Sequence, residues 1–190
     1  KAFEDGAKWK TTISLFAEYA QGGRYSYTYA GDANGDGSVV NDLIYVPHAD
    51  ELFDYTFVGD PIIQGIQRAS FNNYINQDPY LSGRRGQYAE RNAALSPWYG
   101  RWDLRVLQDL SIANGKTVQF SLDILNVGNL ISSDWGVREN PLSVQPIAIA
   151  VDPNTLEPLY SFVARQRETF VDDFSLLSRW QVQLGIRYIF

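Results

Sequence analysis

Strict alternation of apolar and polar residues is the clearest pattern at the end of the chain. Residues 179–190 place apolar side chains at even positions and polar ones at odd positions, with Ile189 as the exception. A period of two puts successive side chains on opposite faces of a β-strand. The apolar positions are Trp180, Val182, Leu184, Ile186, Tyr188 and Phe190. The pattern predicts a strand over 179–190 with one apolar face.

Three earlier segments carry the same alternation and predict three further strands, at about 11–29, 99–113 and 117–128. Their apolar positions include Ile13, Leu15 and Tyr19, then Trp102, Leu104 and Val106, then Val118, Phe120 and Leu122. Asn114-Gly115 separates the second segment from the third, and this dipeptide suits a type I′ turn, in which both central residues need positive φ. The sequence therefore predicts a tight antiparallel hairpin there.

The remaining joins are long, at about 30–97 and 130–178, whereas most joins in compact domains have about four to six residues. Outer-membrane β-barrels alternate short periplasmic turns with long extracellular loops. A soluble β-sandwich would instead turn the same apolar face inward. Arg101, Asp103 and Arg105 share the polar face of one strand, which is typical of a hydrated lumen and favours the barrel. Since closure needs about eight strands, we predict an all-β fold made of the last four antiparallel strands of a transmembrane barrel.

Composition narrows the functional classes. The 190 residues include 16 Lys and Arg against 22 Asp and Glu, a net charge of −6, which argues against a nucleic-acid partner. Cysteine is absent, so disulfides and thiol nucleophiles are excluded. The sequence has no apolar run long enough for a transmembrane helix. It also lacks Met, even at position 1, from which we expect a processed or truncated piece of a longer protein.

One loop has the spacing of calcium ligands. Asp32, Asn34 and Asp36, followed by glycine, read D-x-N-x-D-G and supply oxygens at positions 1, 3 and 5 of an EF-hand-type loop. Ser38 would offer its carbonyl at position 7. Position 12 is leucine, so Asp42 at position 11 is the nearest closing carboxylate. The pattern indicates a possible calcium cofactor, and the alternative is a turn-rich surface loop without metal.

Other polar residues give weaker signals. His48 is the sole histidine, and catalysis would need a nucleophile and an orienting group that the sequence does not show, so we expect no enzyme. Arg84, Arg85 and Arg91 with Glu90 would either hold an anionic substrate or brace loops.

Aromatic residues cluster near the predicted strand ends. They would either stack on sugar rings or form the belt of rings found at a membrane interface, and we favour the belt. The residues are Tyr25, Tyr27, Tyr29, Trp98, Tyr99 and Trp102.

Several segments together resemble one family. They are 31–37 (GDANGDG) with 41–47 (NDLIYVP), 85–92 (RGQYAERN) with 97–99 (PWY), and 120–129 (FSLDILNVGN) with 133–136 (SDWG). In this order, and with a last strand ending in Phe190, they resemble the C-terminal barrel segment of TonB-dependent receptors of the Oar-like and SusC/RagA-like type. The resemblance covers essentially the whole chain.

The resemblance implies a parent protein with an N-terminal plug and a barrel of about twenty-two strands, which imports a nutrient with energy delivered through TonB. The substrate class stays open among peptide, glycan and siderophore. We then expect the outer membrane of a Gram-negative bacterium, with both long loops extracellular. The implied partners are outer-membrane lipid, the rest of the barrel and plug, TonB, the barrel-assembly machinery and a surface lipoprotein. Phe190 would be the assembly signal, or else one more lipid-facing residue.

Two other functions fit the same sequence. A barrel of this kind could serve as a structural or recruiting subunit of a protein-export or barrel-assembly complex. Alternatively, the chain could be a soluble, secreted, calcium-dependent binding module. The parts that would separate import from recruitment, the plug and the TonB-contacting segment, do not occur in this sequence.

Overall fold

The computed structural model describes residues 8–112 and 115–190, which are mostly β. Its strands are β1 Trp9–Gln21, β2 Arg24–Tyr25, β3 Tyr45–Val46, β4 Gln87–Tyr88, β5 Ala94–Leu95, β6 Trp98–Ser111, β7 Thr117–Leu125, β8 Glu139–Pro141, β9 Ile147–Val151, β10 Pro158–Phe162, β11 Phe170–Asp172 and β12 Gln181–Ile189. Its α-helices are α1 Pro61–Gln77, α2 Pro79–Ser82 and α3 Val127–Ile131, with 3₁₀ turns at Glu51–Phe53 and Leu176–Ser178.

The chain divides into two compact units. We call the first the sheet unit; its described residues are 8–22, 97–112, 115–139 and 172–190. The second is the insert unit, which consists of 23–96 and 140–171. The insert unit is therefore built mainly from the two long joins, together with residues 23–29 of the first predicted strand.

The sheet unit contains the predicted four-stranded antiparallel sheet, in the order β1-β6-β7-β12. Its register places apolar residues opposite each other, as in Leu15 with Leu104 and Leu122 with Leu184. Because side chains alternate along each strand, this register collects odd residues of β1 and even residues of β6, β7 and β12 on one face. The alternation seen in each segment thus becomes one continuous apolar surface.

The first strand is shorter than the predicted span 11–29. Alternation continues to Tyr29 in the sequence, but β1 ends at Gln21, where two glycines follow. Gly22 N–H donates to Pro97 O at 3.1 Å, which closes the sheet unit at this end. Residues 23–29 belong to the insert unit, and their alternation reflects burial of tyrosines in a different core.

The connection between β6 and β7 keeps the two strands in register up to Ser111 and Thr117. Beyond this pair, Ile112 N–H donates to Lys116 O at 2.8 Å, and Gly115 has a φ of +73°. A left-handed glycine at the end of a hairpin connection is a common device for reversing the chain. The predicted turn at 114–115 is described only in part, since residue 114 lies outside the described residues.

The insert unit is organised around α1. Asp60 caps its first turn by accepting hydrogen bonds from Ile62 N–H and Ile63 N–H at 2.9 and 3.0 Å, and Pro61 begins the helix. The helix buries one stripe of side chains against the core of the unit. That core consists largely of aromatic and branched residues: Tyr27, Ile44, Val46, Leu52, Phe57, Phe71, Tyr74, Ile75, Leu81, Ile147 and Phe162.

Candidate functional site

The apolar face of the sheet unit is exposed. Leu184 and Ile13 keep 77% and 68% of their surface accessible. The exposed large side chains on this face are Trp9, Ile13, Leu15, Tyr19, Trp98, Trp102, Phe120, Trp180, Val182, Leu184, Ile186 and Tyr188. Exposed apolar surface costs about 25 cal/mol per Å² in water. A contiguous patch of this extent therefore indicates a surface that meets protein or lipid.

The opposite face of the same sheet is polar and paired across strands. Arg105 stands directly opposite Asp123, and its guanidinium makes an ion pair with that carboxylate. Four residues further along β6, Gln119 Nε2 donates to Asp109 Oδ1 at 2.8 Å. Phe16 is exposed on this face and is its large apolar exception on β1. These cross-strand pairs satisfy charges that a packed apolar core would leave unpaired.

A second set of contacts on the polar face joins β1, β6 and the chain after β7. Arg101 lies 3.5 Å from Glu18 Oε2 and 3.5 Å from Asp103 Oδ1. Asp103 Oδ1 also accepts the backbone N–H of Asn126 at 2.8 Å. The charged residues predicted to share one face do so, and each has a partner on that face.

The candidate calcium loop is held by its own side chains. Asp32 accepts hydrogen bonds from Gly35 N–H and Gly37 N–H at 2.7 and 2.8 Å, and both glycines have positive φ. Asp42 accepts Ala33 N–H at 2.7 Å, so this carboxylate reaches back to the first residues of the loop. The fold thus brings the predicted closing residue to the loop that it would close.

Asp36 lies at the centre of the same loop. Its carboxylate accepts from Ser38 N–H at 2.8 Å, from Asn41 Nδ2 at 3.0 Å and from Asn34 Nδ2 at 3.1 Å. These donors lower the pKa of the exposed Asp36 carboxyl. Among the described residues, no set of three or more His, Cys, Asp and Glu side chains is placed to hold a metal ion. Calcium also takes amide and carbonyl oxygens, so binding here stays a prediction.

Two of the arginines singled out in the sequence, Arg84 and Arg85, brace loops. Arg84 makes an ion pair of 2.9 Å with Glu90. Arg85 donates to Pro47 O at 2.6 Å and to the side-chain oxygens of Asn72 and Asn76, both at 2.7 Å. Burial lowers the pKa of Arg85. These contacts favour the bracing interpretation of Arg84 and Arg85 over substrate binding.

His48 holds a turn. Its backbone N–H donates to Glu51 Oε2 at 2.7 Å, and the same carboxylate accepts the Tyr45 hydroxyl at 3.0 Å. The imidazole lies against Gly86, where an added Cβ would stand 2.4 Å from Nε2. Gly86 has a φ of +75°, a conformation that favours glycine, and a larger residue there would also displace the His48 ring.

The six aromatic residues predicted as one cluster lie in separate places. Tyr27 and Tyr29 are buried in the core of the insert unit, so they cannot form part of a membrane-facing belt. Trp98 and Trp102 lie half-exposed on the apolar face of the sheet unit. Tyr99 lies on the opposite face, where the Arg138 guanidinium stands 4.1 Å from its ring centre.

A buried carboxylate that sequence reasoning missed organises the insert unit. Asp78 is 1% exposed and accepts hydrogen bonds from Tyr27 Oη at 2.6 Å, Thr169 Oγ1 at 2.7 Å and Leu81 N–H at 2.8 Å. Burial raises the pKa of Tyr27. The signal was present in the sequence, since Asp followed by Pro79 is typical of a helix N-cap.

Phe190 projects from the last strand. Its side chain is 94% exposed and stacks on Tyr188 with ring centres 6.0 Å apart. Both side chains continue the apolar face of β12. The role of Phe190 as an assembly signal stays a prediction.

Comparisons with protein-family models, curated proteins and solved structures found no match for this chain. Within residues 8–112 and 115–190, no helix is both long and apolar enough to cross a membrane.

Proposed function

We propose that the chain is the C-terminal barrel segment of an outer-membrane transporter of the TonB-dependent receptor type. The observation that carries this proposal is the contrast between the two faces of one sheet. One face exposes a continuous apolar surface, and the other pairs Arg105 with Asp123 and Arg101 with Glu18. A membrane barrel requires lipid on the first face and a hydrated lumen on the second.

The edges of the sheet support the same proposal. Among the described residues, β1 and β12 each pair with another strand on one side only. Unpaired backbone N–H and C=O groups cost several kcal/mol each in hydrocarbon, so strands cross a bilayer only in a closed barrel. We therefore assign further strands of the parent barrel to both edges, with β1 and β12 as its points of attachment.

Nutrient import follows from the resemblance of segments 31–47, 85–99 and 120–136 to the receptor family. In this arrangement the insert unit consists of the two extracellular joins and contributes to the substrate vestibule. Energy would reach the transporter through TonB and the plug, and Phe190 would direct barrel assembly. The substrate would be a peptide, a glycan or a siderophore.

Spin labels on two adjacent residues of β12 test the membrane placement. Leu184→Cys and Gln183→Cys should be introduced singly into the parent protein and labelled with a nitroxide in outer-membrane vesicles. We expect the label at 184 to be relaxed by oxygen, which concentrates in lipid, and the label at 183 by a water-soluble nickel chelate. In a soluble sandwich the label at 184 would be shielded from both reagents, and that result would overturn the proposal.

Transport and recruitment are separated by a second measurement. Growth on the imported nutrient should require both the parent protein and TonB if the barrel is a transporter. A barrel that recruits export or assembly partners would instead be dispensable for uptake and would copurify with those partners. The soluble calcium-dependent alternative predicts a chain that stays folded and monomeric without detergent.

A further inference from the structure

The sheet unit contains an aromatic cleft of about 470 Å³ at the end of β1 and the beginning of β6. The chain after β7 completes it. Its main lining side chains are Tyr19, Trp98, Trp102, Asn126, Asp134 and Trp135. We call this the aromatic cleft. It has the size of a small-molecule site, and every lining residue belongs to the sheet unit.

Five aromatic residues line the aromatic cleft, and one of them, Tyr99, already has the Arg138 guanidinium 4.1 Å from its ring centre. Tyr19 and Trp98 stack with ring centres 5.1 Å apart and planes 13° apart. Trp102 and Trp135 remain 53% and 54% exposed. Gly100 makes room for the stack, because an added Cβ would lie 3.1 Å from the Tyr19 ring. The aromatic surface is therefore both concentrated and accessible.

The far wall of the aromatic cleft is held in place. Asn126 is buried and has a φ of +52°, and its Nδ2 donates to Gly136 O at 2.9 Å. An added Cβ at Gly136 would stand 1.9 Å from Asn126 Oδ1, so only glycine fits there. Asn129 Nδ2 donates to Trp135 O at 3.1 Å. These contacts fix the segment that presents Asp134 and Trp135.

The charges of the side chains that line the aromatic cleft indicate which class of ligand it binds. Asp134 is its one carboxylate, and none of its described lining residues is Lys, Arg or His. Aromatic faces attract cations, most strongly when the cation is removed from water. A carboxylate adds a direct Coulombic attraction. A neutral sugar could stack on the same rings, but it would bring no charge to Asp134.

We propose that the aromatic cleft binds an organic ammonium group. Trp102, Trp135 and the Tyr19–Trp98 pair supply the π surfaces, and Asp134 supplies the counter-charge. The cleft adjoins the apolar face of the sheet, so the ammonium group can belong either to a lipid headgroup or to a free solute. Binding by this cleft does not require that the parent protein import a nutrient.

The test uses the parent protein in a nonionic detergent and follows tryptophan fluorescence during titration with choline at constant ionic strength. The uncharged tert-butyl isostere of choline and a methyl glycoside are titrated in parallel. We expect saturable quenching by choline alone. Trp102→Leu and Asp134→Asn should each weaken choline binding on the order of tenfold. Trp9→Leu, which removes an exposed tryptophan outside the aromatic cleft, should leave it unchanged.

Other outcomes overturn the proposal. Equal affinity for the tert-butyl isostere would define a hydrophobic pocket, and binding of the glycoside alone would define a saccharide site. Choline binding that survives both cleft substitutions would place the ligand elsewhere.

Reconstitution into vesicles separates a lipid headgroup from a free solute. If the ammonium group belongs to lipid, phosphatidylethanolamine vesicles should compete with choline, and phosphatidylglycerol vesicles should not. Equal choline affinity in both vesicles would assign the cleft to a free solute. Failure of the growth experiment to show TonB-dependent uptake would leave these outcomes unaffected, because choline binding does not depend on import.

Discussion

Tyr27 Oη donates a 2.6 Å hydrogen bond to Asp78 Oδ2, which links two residues 51 positions apart in the buried core of the insert unit. The same carboxylate oxygen accepts Thr169 Oγ1 at 2.7 Å. One side chain therefore connects the two chain segments of the insert unit, 23–96 and 140–171. A buried carboxylate is stable only when donors satisfy it, so this network is a point at which the unit is sensitive to substitution.

Tyr27→Phe should destabilise the insert unit by about 1–3 kcal/mol, because it removes one charge-assisted hydrogen bond from Asp78. The change would appear as faster hydrogen exchange at Leu81 N–H, which Asp78 caps. Tyr88→Phe is the matched control, since Tyr88 is 64% exposed. Equal protection in both variants would show that the Tyr27 bond contributes little.

Alkaline pH should loosen the insert unit. Burial raises the pKa of Tyr25 and of Tyr29 to about 12, against an ordinary value of about 10. A group whose pKa is higher when folded contributes stability that is complete below the unfolded value and is lost as pH rises through the folded value. We expect constant stability up to about pH 10 and a decline between about 10 and 12. Tyrosinate absorbance recorded alongside denaturant unfolding would check this, and a flat profile would contradict it.

We expect calcium to bind the loop that contains Asp32, Asn34 and Asp36. Asp42 would supply the closing carboxylate, and Ser38 would contribute its backbone carbonyl. Titration calorimetry on the parent protein should then show binding that Asp36→Ala abolishes. Asp152→Ala is the matched control, because Asp152 also lies in a turn and accepts Asn154 N–H at 2.8 Å. If the unmodified protein shows no heat of binding, or if Asp36→Ala retains it, the loop is a turn stabilised by its own side chains and not a calcium site.

Deletion of Phe190 should lower the amount of parent protein assembled in the outer membrane, by the proposed role of a terminal aromatic in assembly. Trp180→Ala removes another exposed aromatic side chain near the start of the same strand and serves as the control. Heat-modifiable mobility in gel electrophoresis would measure assembly. If both variants assemble to the same extent as the unmodified protein, Phe190 is simply one more apolar residue on the face.

Residue alternation predicts the sheet because the period of two is a local property of each strand. It indicates which residues of β6 and β12 share a face, and the register then aligns those faces. Alternation alone predicts a first strand that is too long. Residues Tyr25 to Tyr29 also alternate, but they do so because their tyrosines pack in the core of the insert unit. Helix α1 goes unpredicted because its amphipathic pattern is weak: Ile62 and Ile66 are exposed, whereas Gln67 is buried.

The candidate sites differ in the same way. The acidic loop can be predicted because Asp32, Asn34 and Asp36 are neighbours in sequence. The aromatic cleft cannot, because Tyr19, Trp98 and Trp135 come from three distant segments that only strand pairing and the glycine at 136 bring together. Asp78 shows the intermediate case, in which a local cap signal was present but its partner Thr169 was not foreseeable.

The ends of segment 23–96 meet at closely spaced hydrogen bonds. Gly22 N–H donates to Pro97 O at 3.1 Å, and Ser96 N–H donates to Gly23 O at 3.0 Å. The two ends of segment 23–96 therefore lie next to each other. β1 and β6 pair with each other through their own contacts. Replacement of the whole excursion by another sequence of similar end spacing would leave the strand register intact. The register of β1 and β6 is therefore set within the sheet unit, and the sequence between 23 and 96 is free to diverge without disturbing it.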